Sequence, residues 1–233
     1  MAVNRKRRRQ TPEEREARRQ KDKEQELLKW IPKTKLGKMV QKEEIKSLDE
    51  VFAKNMKILE PEIVDTLAKF DEEMVDFKKT SRVVRAGRKF SFRVTMLVGD
   101  KNKYIGYGTA KDVERFPAMR KAARKAKLNL IQVKKGCGSW ECTCGAEHTV
   151  PFAVEGKCAS VKVQLIPAPK GVGLVAGDNI KKVLEMAGLK DVWTKTKGNT
   201  RTKLNFVIAA VNALSKTGKM RISDDIAKKF EHK

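Results

Sequence analysis

The sequence predicts an α+β protein, a β-β-β-α unit followed by a β-β-α-β-α unit, set between basic terminal extensions. Three observations predict it. Apolar residues make up 40% of the 233-residue chain, enough for a core in one to two domains. Their spacing switches between the period of two that strands need and the i, i+3, i+4 recurrence of helices. Glycines, prolines and capping residues sit at the switches.

Residues 1–26 are a charge-dense arm with Arg5, Lys6, Arg7, Arg8 and Arg9 in succession and no apolar face before Leu27, Leu28, Trp30 and Ile31. Residues 27–74 read as a helical or irregular adaptor. They include a short helix in KEEIKSLDEVFAKN, with Ser47 as N-cap and Glu50 three residues on, a capping box. Ile63, Val64 and Leu67 give the next segment its apolar side.

The first strand-rich unit is read over 75–135. VDFKKTSRVVRAG and RKFSFRVTMLVGD form two strands around Gly87, and KYIGYGTA forms a third. A helix then starts at Pro117, with Met119, Ala123, Ala126 and Leu130 inward. Opposite that stripe stand Arg120, Lys121, Arg124, Lys125 and Lys127. Gly106 and Gly108 in the third strand call for a backbone at close range, either RNA or the covering helix.

A glycine- and cysteine-rich loop occupies 136–148. The second unit, 149–217, opens with strands in TVPFAVEG and ASVKVQLIPAP. A helix DNIKKVLEMAGL follows, capped by Asp178 and ended by Gly188. DVWTKT is a further strand. The final helix points Leu204, Ile208, Val211 and Leu214 inward. Residues 218–233 are a polar, basic tail.

Charge narrows the function. Fifty-three Lys and Arg face 29 Asp and Glu, a net charge of +24, which calls for a polyanionic partner. No apolar run approaches the ~20 residues that span a bilayer, and MAVNRKRRRQTPEER lacks the apolar core of a secretory signal, so a cytoplasmic location is expected. Acids are missing from four stretches, between Asp76 and Asp100, Glu114 and Glu141, Glu155 and Asp178, and Asp191 and Asp224. Solvated faces normally mix signs, so single-sign stretches across both units point to a phosphate backbone.

The turn bearing Arg82, Arg85 and Arg88 around Gly87, with Lys79, Ser81 and Lys89 beside it, is a candidate phosphate contact. It would read A-form RNA by shape rather than by base. The basic helix face is a second candidate, and Lys195, Lys197 and Arg201 with Asn199 a third, facing RNA or a neighbouring protein.

GVGLVAG, residues 171–177, follows a strand and opens a helix, where backbone N–H groups can cradle phosphate. No Lys-Ser/Thr follows its last glycine, and it is one residue too long for GxGxxG. PAPKGVGL faintly resembles the phosphate loop of small-metabolite kinases, but Val175 and Ala176 replace the expected serine pair. Cys137, Cys142, Cys144 and His148 admit two readings. One is a closed zinc site, structural because no H-x-E arrangement accompanies it; the other is an exposed loop of reduced thiols with Trp140 against RNA. The fourth cysteine, Cys158, reads as a small buried hydrophobe.

KKTSRVVRAGRKFSFRVTMLVGD, YIGYGTAKDVE and AMRKAARKAKLNLIQV resemble the N-terminal half of the small-subunit ribosomal protein S-five family. GKCASVKVQLIPAPKGVGLVAGDNIKKVLEMAGLKDVWTKTKGNTR with LNFVIAAVNAL resembles its C-terminal half. GCGSWECTCGAEHTVPF and WIPKTKLGKMVQ resemble its archaeal branch. The resemblance spans residues 28–216; the arm 1–26 and the tail after Lys216 match no pattern.

It implies a double-stranded-RNA-binding-like first domain and a structural, non-enzymatic, ribosome-bound role. The partners it implies are small-subunit ribosomal RNA and the neighbouring protein S-four, beside the path along which messenger RNA enters, with a part in decoding accuracy. No membrane and no small-molecule substrate are implied. Lys79–Lys89 match the family loop that enters ribosomal RNA. Gly171, Gly173 and Gly177 match the contact with S-four. Two other classes remain as contrasts: a free double-stranded-RNA-binding regulator and a small-metabolite kinase built on the second unit.

Overall fold

The computed structural model describes residues 30–219; the arm 1–26 and the tail beyond 219 lie outside the described residues. The chain divides into two compact units between residues 68 and 69.

The described residues of the first unit include three short helices: α1 (Lys35–Gln41), α2 (Leu48–Ala53) and α3 (Pro61–Leu67). Each begins where its sequence supplies a cap. Thr34 Oγ1 accepts from the Gly37 N–H at 3.1 Å. Ser47 Oγ accepts from the Glu50 N–H at 3.4 Å and donates to Glu50 Oε1 at 3.0 Å, a variant of the expected box. Pro61 occupies the first helical position of α3, where its missing N–H costs nothing. The Glu60 carboxylate gathers Trp30 Nε1 (2.9 Å) and the N–H groups of Lys33 (2.9 Å) and Thr34 (2.7 Å). Burial opposes ionisation of Glu60, but those hydrogen bonds outweigh it and hold its carboxyl below the usual range.

The second unit carries two four-stranded sheets. The first runs β1 (Asp71–Val84), β2 (Gly87–Gly99), β3 (Tyr104–Asp112) and β4 (Leu130–Gln132), antiparallel in that order, with α4 (Arg115–Leu128) between the last two strands. The second has β5 (Val154–Cys158), β6 (Val161–Pro167), β7 (Leu174–Val175) and β8 (Val192–Lys197) in the order β5-β6-β8-β7, with β7 parallel to β8. Helices α5 (Asp178–Met186) and α6 (Lys203–Thr217) complete it.

Several expectations need correction. Strand β1 begins at Asp71, not Val75, because the carboxylates of the supposed adaptor point outward to basic partners. Asp71 pairs with Lys101 (2.6 Å), Glu72 with Lys127 (3.1 Å) and Glu73 with Lys182 (2.6 Å). Helix α4 starts two residues before Pro117, and Leu130 leaves it for β4. The N-cap of α5 is Gly177, and Asp178 lies within the first turn, favourably placed for the helix dipole. Strand β7 adds a β element to the expected β-β-α-β-α order. On α6, Val207, Ala210, Val211 and Leu214 are buried, whereas Leu204 and Ile208 are only half-buried.

Sheet one is covered on both faces. On one, Val94, Met96 and Ala110 meet Ala118 and Ala122 of α4. A Cβ at Gly106 would strike the Ala126 carbonyl, and one at Gly108 the Ala122 carbonyl, so the covering helix is what these glycines admit. On the other face, Leu97 and Ile105 join one core with Val154, Val163, Leu165, Ile180, Leu184, Val207 and Leu214. The segments read as separate units over 75–135 and 149–217 thus share their apolar interior. No helix among the described residues is long and apolar enough to cross a membrane.

Candidate functional site

Strands β1 and β2 outrun their sheet. Pairing of β2 with β3 begins at Phe92↔Asp112, whereas the β1–β2 ladder continues from Thr80↔Ser91 to Val84↔Gly87. These five pairs form a two-stranded ribbon about 15 Å long at ~3.3 Å per residue. Phe77 stacked on Phe92 (centroids 5.3 Å apart), with the Arg115 guanidinium over Phe77, marks its root. Gly87 closes the tip with φ +116°, a conformation side chains resist.

The ribbon and its root hold every expected residue of the first basic cluster, and Lys79, Ser81, Arg82, Arg85, Gly87, Arg88 and Lys89 are all exposed. Directly opposed residues share a face, so Arg82 sits across from Lys89, two like charges that destabilise an isolated pair. The other face alternates charge with apolar surface: Lys79 Nζ lies 3.9 Å from the Phe90 ring centroid, and Val83 faces Arg88. Val83 is 73% and Phe90 47% exposed, apolar area that can lie on sugars and bases between phosphate contacts.

Along α4, Arg120, Lys121, Arg124 and Lys125 are exposed, with Lys121 paired to Asp112 at 2.6 Å. Lys127 departs from the expected RNA face. Its side chain is 7% exposed and spent on Glu72, so it belongs to the fold. Among the described residues, acid-free stretches still find carboxylates in space for Arg93 (Asp76), Lys121, Lys127 and Lys162 (Glu155), but none pairs with Arg82, Arg85, Arg88, Arg120, Arg124 or Lys125. Lys195, Lys197 and Arg201 are exposed at the end of β8 and before α6, with Lys197 opposite Lys162.

The cysteine loop is closed at its base by the antiparallel Gly136↔Thr149 bridge. Inside it, Cys137, Cys142, Cys144 and His148 bring their ligand atoms within 4.8 Å of one another. Cys142 Sγ is 3.1 Å from Cys144 Sγ and 3.7 Å from His148 Nε2; Cys144 Sγ is 3.6 Å from Cys137 Sγ. Burial, then hydrogen bonds from the neighbouring thiols, pushes the Cys137 thiol up to about 11. Backbone hydrogen bonding from Cys144, joined by the Cys144 thiol and Lys170, holds Cys142 down to about 6. Trp140 projects from the loop, 90% exposed.

Sequence reading missed Asp191. Its Oδ2 lies 2.8 Å from His148 Nδ1, and its Oδ1 accepts from the N–H groups of Gly171 (3.1 Å) and Gly173 (2.8 Å). Burial opposes its ionisation, but hydrogen bonds from Gly173, His148 and Gly171 prevail and keep its carboxyl below the usual range. Both glycines hold positive φ, +96° and +75°, which turns their N–H groups inward. Gly177 is exposed at the start of α5, and Val172 and Val175 expose apolar surface on the same loop.

Residues 70–134 match the family model described as ribosomal protein S5, N-terminal domain, and residues 156–230 the one described as ribosomal protein S5, C-terminal domain. Over 193 residues the chain is 51% identical to the small ribosomal subunit protein uS5 of Pyrobaculum calidifontis, covering 82% of this chain and 96% of that protein. It is 52% identical over 191 residues to uS5 of Staphylothermus marinus (82% and 89% covered). With uS5 of Methanobrevibacter smithii it shares 49% over 202 residues (86% and 95% covered).

Proposed function

Since the chain belongs to the ribosomal protein S5 family, in its archaeal form, we propose that it is a structural, ribosomal-RNA-binding constituent of the small ribosomal subunit, held there in the cytoplasm. The observation that carries the RNA contact is the projecting β1–β2 ribbon. It opposes Arg82 to Lys89, exposes Val83 and Phe90, and has no carboxylate partner for its arginines among the described residues. Such a ribbon is costly in water and favourable against phosphate, where each contact releases counterions. The outer face of α4 extends the same surface through Arg120, Arg124 and Lys125.

The second contact is with protein. The loop from Gly171 to Gly177 presents Val172 and Val175 to solvent, which supports docking on a neighbour of the S-four type, beside the path along which messenger RNA enters. Its glycine N–H groups at 171 and 173 donate to Asp191, so a carboxylate occupies the place where a kinase would hold phosphate. That supports a scaffold over phosphoryl transfer.

The test is binding of the full chain to small-subunit ribosomal RNA across a salt series. Replacing Arg82, Arg85 and Arg88 together by Ala should weaken binding and lower the log–log salt slope by about 2–3, at ~0.7–0.9 per phosphate contact. An unchanged slope removes the ribbon from the interface. Co-sedimentation with small subunits in high salt distinguishes a constituent from a free double-stranded-RNA-binding regulator, which would wash off.

A further inference from the structure

We infer that Cys137, Cys142, Cys144 and His148 bind one structural zinc ion, and that Asp191 couples this site to the glycine loop. The primary sequence disguises the site. Gaps of four, one and three residues lack the paired two-residue spacing of common zinc modules, but the fold gathers the donors regardless. With Zn–S near 2.3 Å and Zn–N near 2.0 Å, a tetrahedral site has edges of about 3.5–3.8 Å. The distances here are 3.1, 3.6 and 3.7 Å, and all four donor atoms lie within 4.8 Å. Three thiolates and an imidazole are a set that zinc accepts, and four protein donors close the site to substrate.

His148 carries the second argument. Its Nδ1–H donates to Asp191, and its carbonyl accepts from the N–H groups of Lys190 (2.9 Å) and Asp191 (3.2 Å). Ring and backbone are thereby fixed, and the Nε2 lone pair is aimed at the sulfurs. A carboxylate on the far nitrogen is how zinc-bound histidines are oriented. The loop itself is the third argument. Between Gly136 and Thr149 it forms neither helix nor strand, and its largest apolar side chain, Trp140, points into solvent. Core packing does not order it; a central ion does.

The coupling follows from the two oxygens of Asp191. Oδ2 holds the zinc ligand, and Oδ1 holds the N–H groups of Gly171 and Gly173. The ion therefore also positions the loop that presents Val172 and Val175.

Metal analysis of the full chain, purified with reductant and without chelator, should return one zinc per molecule. Cys142→Ser and Cys144→Ser should lose it, and Cys158→Ser, outside the cluster, should keep it. Chelator-stripped wild-type protein should take up Co(II) with the charge-transfer absorption of tetrahedral thiolate ligation, which reads the site even where a serine variant fails to fold. Asp191→Asn should weaken zinc affinity about 10–100-fold. Zinc removal should speed amide exchange at Gly171 and Gly173. Absence of stoichiometric zinc with no Co(II) band, or a Cys142–Cys144 disulfide that persists in protein purified with reductant, overturns the site. Gly171 and Gly173 amides indifferent to zinc overturn the coupling.

Discussion

Lys127 and Arg124 stand three residues apart in one basic run, yet the fold places them oppositely. Arg124 faces solvent, whereas Lys127 is buried against Glu72. Lys127→Ala should cost about 1–3 kcal/mol in denaturant unfolding and leave the salt slope of RNA binding alone, since it deletes a buried side chain that packs within the fold. Arg124→Ala should do the reverse, with unfolding unchanged and the slope lower. The difference was not legible in the sequence, because the deciding carboxylate lies 55 residues upstream. Asp191 was invisible for the same reason, at 43 residues from His148. Gly108 was half legible: its spacing demanded a close backbone, and only the fold named the helix. Gly108→Ala should lower the denaturation midpoint by the equivalent of about 1–3 kcal/mol, the usual cost of forcing volume into a packed contact.

Among elements, those with a period or a cap could be read and the shortest strands could not. Strands β1 and β2 and helices α4 and α6 carry enough period to declare themselves. Three-residue β4 and two-residue β7 carry none; each exists because a neighbouring strand offers an edge. The start of β1 was misread because three carboxylates in a row look like a helix surface. The ribbon adds a dynamic expectation. A lone two-stranded hairpin is marginal in water, so amides of Ser81–Val84 should exchange faster than those of Val94–Val98 in the free protein and slow on RNA binding. Equal protection in the free state would contradict it. In the first unit, Glu60 ties Trp30, Lys33 and Thr34 to the start of α3. Its depressed pKa means that this stabilisation is full above the ordinary carboxylate range and is lost as pH falls through the folded value. Thermal melts of Glu60→Gln and wild type should therefore converge in acid and separate at neutral pH.

For the whole molecule, net charge announced a polyanion, and the acid-free stretches single out the ribbon and α4 as the surfaces offered to it. Carboxylates outside these stretches fold back onto Arg93, Lys121, Lys127 and Lys162. The shared interior had no sequence signature, since an alternating strand does not say what will cover its second face. That interior sets a timetable for synthesis. When residue 134 leaves the ribosome, Leu97 and Ile105 have no cover, because their partners run to Leu214, 80 residues later. At ~5–20 residues per second the nascent sheet waits about 4–16 s with an apolar face bare. The chain is then most open to aggregation and most in need of a chaperone, before it meets any RNA.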